Sequence, residues 1–301
     1  MTAATEAELA REICVRCFGS EASIEPLGGP NNAVFRLRFP DGVHILKVAR
    51  DAQARRLRKE QMLLELLSRY GMPVPRIEHS DLDATMVGQP FLIMQSVGEL
   101  RVADYLQVHT AQSLALCREM GELLARIHTL VMSGSGDLQP EGYVARDPVA
   151  YLQRLHALAE WVASQGLISA AEAEAFRALP MPDLAGTSLC HGDFHAVQCV
   201  VHDGHISAVV DWESAWSGNS AIDFAVTQVY LESYCPGDLL AAFVTGYLSQ
   251  RTLPAGYQRD YLPVRMAQAL ALTRGMATRG MTEYAARPVE LFRAYLESWN
   301  G

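Results

Sequence analysis

The sequence predicts an α+β protein in two parts, an N-terminal antiparallel sheet with one long helix followed by a larger, mostly helical C-terminal lobe. Three observations predict it. Two alternating apolar runs at 33–39 and 43–49 flank the turn residues Pro40-Asp41-Gly42, which is the pattern of a β-hairpin. Beyond residue 97 the apolar residues recur mostly at helical spacing. The exception is a second hairpin, in which Asp203-Gly204 joins the short apolar strands 199–202 and 205–210. The lobes are therefore expected at 1–97 and 98–301.

Along the N-terminal lobe, a helix comes first, followed by Leu27-Gly28-Gly29-Pro30-Asn31-Asn32. This stretch reads as a glycine-containing loop opening the first hairpin. Small residues at Gly28 and Gly29, with Asn31 and Asn32, would let backbone N–H groups approach phosphates closely, although Gly-Gly before a strand is more often just a turn. The spacing is not that of a Walker A loop. Lys47 lies inside the next apolar strand of a chain that has only two lysines, Lys47 and Lys59, among 25 basic residues. A compact ammonium kept there suits phosphate and carboxylate partners, while an edge-strand lysine that discourages aggregation is the other reading. In the following helix Leu57, Leu64 and Leu67 form an apolar stripe into which Glu60 falls. A carboxylate on a buried face must be paired, and Lys47 is the nearest upstream cation on an apolar strand. A Lys47–Glu60 ion pair is thus expected, unless the helix turns Glu60 to its solvated edge. Gly71 and Pro73-Val74-Pro75 end the helix.

Downstream, helices are expected over 147–164, 170–179, 235–248, 257–281 and 288–299. The segment HGDFHAVQ at 191–198 leads into the second hairpin, which closes before Asp211. Folding that hairpin brings Gln198 towards Asp211, so that an amide and a carboxylate oxygen could share a hard cation while Asp193 orients a hydroxyl nucleophile. The alternatives are an ordinary surface turn, or an HxDxH metal-hydrolase site, for which no second ligand cluster is evident.

The set as a whole resembles the aminoglycoside phosphotransferase family of small-molecule kinases, nearly end to end. HGDFHAVQ is similar to that family's HGDxHxxN catalytic loop, and VVDWESAWSGNSAIDFA at 209–225 to its metal-binding aspartate and following helix. QPFLIMQSVG at 89–98 resembles the strand and hinge between lobes, and LLARIH at 123–128 the helix ending in LAxLH. The resemblance implies a protein-kinase-like two-lobed fold and transfer of the γ-phosphate of ATP or GTP, with Mg2+, to a hydroxyl of a small molecule. That acceptor would be an aminoglycoside-type or other antibiotic, which would confer antibiotic resistance. Its alternatives are a metabolic amino alcohol or sugar as acceptor, or a pseudokinase that binds nucleotide without transfer. By the same resemblance Asp193 is the catalytic base, Gln198 and Asp211 are metal ligands, Lys47 contacts phosphate, Glu60 supports it, and backbone groups near Gln95 and Val97 meet the nucleobase. Asp223 would be structural. Gln198 stands where the family has Asn, which lengthens that side chain by one methylene.

Composition fits this expectation. Half of the 301 residues are hydrophobic and 20% charged, ordinary for a globular chain. No apolar run reaches the length of a membrane span, and the polar start MTAATEAELARE does not read as a signal peptide, so a cytoplasmic protein with no membrane partner is expected. The six cysteines lie mostly in apolar runs, as reduced thiols do; Cys14 and Cys17 have CxxC spacing but no second pair. Up to Gln95 there are 12 basic and 12 acidic residues, so the whole net charge of −9 falls downstream. That lobe would repel nucleic acid and attract a cationic small molecule, with a merely solubilising acidic surface as the other reading. Glu213, Trp216, Glu232, Tyr234 and Glu283 are the candidates to line its acceptor pocket, and no obligate protein partner is evident.

Overall fold

The computed structural model describes residues 3–29, 31–50, 54–140, 142–145 and 147–300. Pro30, within the expected glycine loop, lies outside them. The chain begins α1 (Ala3–Phe18), β1 (Ser23–Gly28), β2 (Asn32–Phe39), β3 (Gly42–Ala49), α2 (Arg55–Arg69), β4 (Ile77–Asp81), β5 (Phe91–Gln95) and β6 (Leu100–Arg101). It continues through α3 (Val102–Leu106), α4 (Ala111–His128), β7 (Gly136–Gln139), β8 (Gly142–Val144), α5 (Pro148–Ser164), α6 (Ala170–Arg177) and β9 (Ser188–Cys190). The hairpin β10 (Cys199–His202) and β11 (His205–Val209) follows, then a 3-10 turn (Trp212–Ser214) and β12 (Trp216–Gly218). Five helices close the chain: α7 (Ser220–Tyr234), α8 (Gly237–Leu248), α9 (Tyr257–Asp260), α10 (Leu262–Thr278) and α11 (Thr282–Asn300). None of the helices among the described residues is long and apolar enough to cross a membrane.

The chain divides into two compact units. The first holds Met1–Arg101, Gln139–Glu141 and Cys199–Glu213, and the second holds the remainder. In the first unit an antiparallel sheet runs β1-β2-β3-β5-β4. Strand alternation turns Phe35, Leu37, Leu46, Val48 and Ile93 onto one face, where they bury against Ala10, Ile13 and Cys14 of α1. Lys47 is out of phase with Leu46 and Val48, so it points to the opposite face, and it pairs in register with Val34 and Leu92. On α2, Leu57, Leu63, Leu64 and Leu67 are buried, and Glu60 is buried with them. The β10–β11 hairpin turns through Asp203 and Gly204 at φ 50° and 81°, the two positive values of a type I′ turn. It joins this unit because β10 pairs with β6, and because Val209 N–H donates to the Pro73 carbonyl at 2.8 Å.

The second unit is helical, with a core of α5, α6, α10 and α11 in which Phe176 and Phe292 meet edge to face at 6.1 Å. Helices α4 and α8 cross backbone to backbone. A Cβ at Gly121 would fall 2.0 Å from the Phe243 carbonyl oxygen, and one at Gly246 2.0 Å from that of Arg118. Two helical expectations need correction. The single helix expected over 257–281 is two, α9 and α10, because Pro263 sits in the first turn of α10, where a missing N–H breaks no hydrogen bond. Conversely, α11 starts at Thr282 rather than 288 and carries Pro288 inside it. Pro288 deprives the Tyr284 carbonyl of its helical donor, and the Tyr234 hydroxyl donates to that carbonyl at 3.3 Å.

Candidate active site

In the first unit, Lys47 donates to both oxygens of Glu60 at 2.7 and 2.8 Å and to Asp211 Oδ1 at 3.2 Å. Glu60 is 1% exposed, which excludes the solvated-edge reading and leaves Lys47 as its counter-ion. Burial pulls the Lys47 pKa down, but the Glu60 and Asp211 carboxylates outweigh it, and Lys47 is held as an ammonium above its ordinary range. Asp211 itself adopts φ 68°, a left-handed conformation uncommon outside glycine, and keeps 36% of its side chain exposed. Two residues on, Glu213 accepts from Asn31 Nδ2 at 2.6 Å and Asn32 Nδ2 at 3.2 Å, with Arg56 at 3.6 Å. The loop after β1 is thereby tied to the Lys47 cluster through the two asparagines. Gly28 and Gly29 have φ 82° and 124°, and a Cβ on Gly29 would meet the Asn32 carbonyl oxygen at 2.6 Å. Only glycine fits at 29.

Gln95 and Val97 border a cleft of about 840 Å³ shared with residues 41–44, Glu78 and Ser207. Some of their backbone groups are already used: Gln95 N–H donates to the Arg76 carbonyl at 2.9 Å, and the Val97 carbonyl accepts from Ser207 Oγ at 2.7 Å.

In the second unit, Asp193 follows β9 with its side chain 46% exposed. Its carboxylate lies 3.4 Å from His195 Nε2 and accepts from Gln198 Nε2 at 3.5 Å, the outer limit of a hydrogen bond. The loop is held from below by Asp223. Its Oδ2 accepts from His191 N–H at 2.7 Å and His128 Nε2 at 3.1 Å, and its Oδ1 accepts from Gly192 N–H at 2.8 Å. Tyr247 OH contacts the other His128 nitrogen at 2.8 Å. Burial pushes the Asp223 carboxyl up, but His128 and the His191 N–H outweigh it, so the carboxyl sits below its ordinary range. Burial lowers the His128 pKa beyond what Asp223 restores. His128 is therefore a neutral imidazole that donates to Asp223 and accepts from Tyr247. Gly192 has φ 82°, and a Cβ there would stand 2.4 Å from the Ser214 carbonyl oxygen, so the backbone just before Asp193 admits no side chain.

The five acceptor-pocket candidates are not brought together. Glu213 is engaged in the first unit as described. Trp216 is a core residue, 3% exposed, in register with Asp137 and Cys190 in the sheet β8-β7-β12-β9. Glu232 is taken up internally, accepting from Gln228 Nε2 at 2.6 Å and contacting Tyr295 OH. Tyr234 and Glu283 do share a cleft, of about 430 Å³, in the second unit. Nothing in the sequence pattern singled out Tyr230 and Ser233, which also line it, or the role of Tyr247. The signal for His128 was present in LLARIH, which places a histidine on the buried end of an apolar helix.

Residues 23–262 match the profile of the phosphotransferase enzyme family. The chain belongs to that family. The aminoglycoside phosphotransferase resemblance is thereby borne out, and so is the α+β fold. A thermostable mutant of aminoglycoside phosphotransferase APH(4)-Ia, crystallised as a ternary complex with ADP and hygromycin B, superposes with a TM-score of 0.71 at 15% identity, over 97% of this chain and 99% of that one. Macrolide 2'-phosphotransferase MphH from Brachybacterium faecium does so with a TM-score of 0.61 at 19% identity, over 94% and 98%. Acyl-CoA dehydrogenase family member 10 of Mus musculus is 24% identical over 223 residues, 69% of this chain. The chain spans about a fifth of the length of that relative.

Proposed function

We propose that the protein transfers the γ-phosphate of ATP or GTP to a hydroxyl of a small molecule. The observation that carries this reading is the buried Lys47 ammonium, held by Glu60 and Asp211 at 2.7 to 3.2 Å. Three carboxylates, Glu60, Asp211 and Glu213, act on this one ammonium. Even with Arg56 beside Glu213, the cluster keeps an excess negative charge, as a magnesium–nucleotide site needs. Asp211 and the amide oxygen of Gln198 are hard oxygen donors of the kind magnesium takes, and they are its ligands in this reading. When bound, magnesium neutralises charge on the phosphate oxygens. Lys47 holds those oxygens as a point charge, and Glu60 holds Lys47. The glycines and asparagines at 28–32 cover the phosphates, and the Gln95 carbonyl and Val97 N–H meet the nucleobase.

Asp193 orients the acceptor hydroxyl and takes its proton as the phosphoryl group arrives. His195 and Gln198 set the carboxylate's direction, and Asp223 fixes the backbone that carries it. An antibiotic is the acceptor in this reading, as the names of the structural neighbours suggest, and a cytoplasmic site of action supplies the nucleotide.

The test separates the two roles. Asp193→Asn should leave nucleotide affinity nearly intact and lower turnover by about a hundredfold or more. Asp211→Asn should also weaken magnesium-dependent nucleotide binding. Full turnover in Asp193→Asn would sink the mechanism.

A further inference from the structure

The cleft of about 430 Å³ in the second unit has an aromatic and thioether lining: Tyr230, Tyr234, Tyr284, Met276 and Met281. It connects to Asp193 through a ring stack. The His195 imidazole, 3.4 Å from the Asp193 carboxylate, lies parallel to Tyr230 at 4.9 Å and 13°. Tyr230 meets Tyr234 at 5.4 Å, and Tyr234 meets Tyr284 at 6.5 Å. Burial pushes the Tyr230 and Tyr234 hydroxyls up to about 12, so both stay neutral phenols. Two charged groups line the cleft, Glu283 and Arg287, and they cancel. The negative charge expected to recruit a cationic acceptor is not concentrated here.

Ser233 adds a second, independent observation. It is 2% exposed and lines the same cleft, yet its hydroxyl has no hydrogen-bond partner among the described residues. Thr245 and Thr278, also on helices, satisfy theirs on the carbonyl four residues back. A buried hydroxyl left unpaired carries a desolvation penalty, which a ligand atom in the cleft would remove.

Resting on the kinase reading above, we propose that this cleft is the acceptor subsite, and that it takes a compact alcohol with an apolar or aromatic body and a polar atom for Ser233. Tyr230 and Ser233 are its specificity-determining residues. At about 430 Å³ the cleft is at the small end of ligand sites, which excludes a bulky polycationic oligosaccharide from lying wholly within it.

Binding can be read without catalysis from the methyl signals of Met276 and Met281 in the full chain labelled at methionine methyls. The probes are 2-phenylethanol and hygromycin B, each with AMP-PNP and magnesium present. The alcohol should shift both signals and hygromycin B neither. Ser233→Ala should weaken the alcohol about five- to tenfold, the loss of one hydrogen bond, while leaving the melting temperature of the free protein unchanged or raised. Tyr230→Ala should weaken it at least as much. A lowered melting temperature in Ser233→Ala with unchanged alcohol affinity would show a structural serine and overturn the proposal. Hygromycin B phosphorylated while the Met276 and Met281 signals stay still overturns the subsite and leaves the kinase reading standing. ATP bound without transfer to any alcohol overturns both.

Discussion

Replacing Lys47 by methionine keeps the length of the side chain and removes its charge, leaving Glu60 at 1% exposure without a counter-ion. At 2.7 Å the pair's attraction is about 6 kcal/mol for an effective dielectric near 20. In the native protein, desolvation of the two ions largely offsets this attraction. Without the lysine only the desolvation side remains, a loss of about 3 to 5 kcal/mol. At roughly 2 to 4 °C per kcal/mol for a chain of this size, the melting temperature should fall by about 6 to 20 °C.

The loss depends on pH in a direction fixed by linkage. In Lys47→Met the buried Glu60 holds its proton in the folded state to higher pH than in the unfolded chain, where a glutamate titrates near about 4.3. Stability is then retained below that value and lost as pH rises above it. Unfolding followed by circular dichroism at pH 5 and pH 8 should therefore show the larger penalty at pH 8. Lys47→Met/Glu60→Leu should recover most of the stability and none of the nucleotide affinity, because a packed apolar pair replaces an ion pair at little cost. A melting temperature within 1 to 2 °C of wild type, equal at both pH values, would refute the reasoning.

Asp223→Asn places an amide N–H₂ among three donors that Asp223 accepts from, those of His128, His191 and Gly192. It should cost about 2 to 4 kcal/mol in urea unfolding, with the loop before Asp193 losing hydrogen-exchange protection first. Acid should destabilise the protein in two stages. His128, held neutral by burial, removes stability as pH falls below about 6.5. Asp223, whose carboxyl is depressed, keeps its contribution above about 3.9 and loses it as pH falls through its folded value. The first stage should vanish in His128→Gln, measured as the slope of unfolding free energy between pH 7 and 5, at most about 1.4 kcal/mol per pH unit for one proton.

The features legible in the sequence were those written in local periodicity. Glu60 betrayed itself by falling in a leucine stripe, and Lys47 by sitting in an apolar strand, so their pairing followed from the cost of burying charge. Asp203-Gly204 announced a turn with two positive φ values, and it formed one. What failed was long-range. The capture of Asn31 and Asn32 by Glu213 joins residues more than 180 positions apart, and no local pattern encodes it. Trp216 looked like a pocket aromatic, but a three-residue strand between β7 and β9 buries it, and strands that short leave no alternation to read. Pro288 marked a helix start by propensity. Helix α11 instead runs through it, and the carbonyl it frees is bonded from Tyr234 on another helix. The stack of His195 on Tyr230 likewise depends on α7 packing beneath the loop, a contact between residues 35 apart in sequence.

The most direct measurement is transfer of label from γ-labelled ATP, and separately GTP, to a panel of hydroxylated small molecules, with and without magnesium, followed by mass spectrometry of the acceptor. Phosphoryl transfer at this site requires a magnesium-dependent phosphate monoester on at least one acceptor, reduced about a hundredfold or more in Asp193→Asn. Saturable nucleotide binding with no labelled acceptor anywhere in the panel, in wild type and in Gln198→Asn alike, would contradict it.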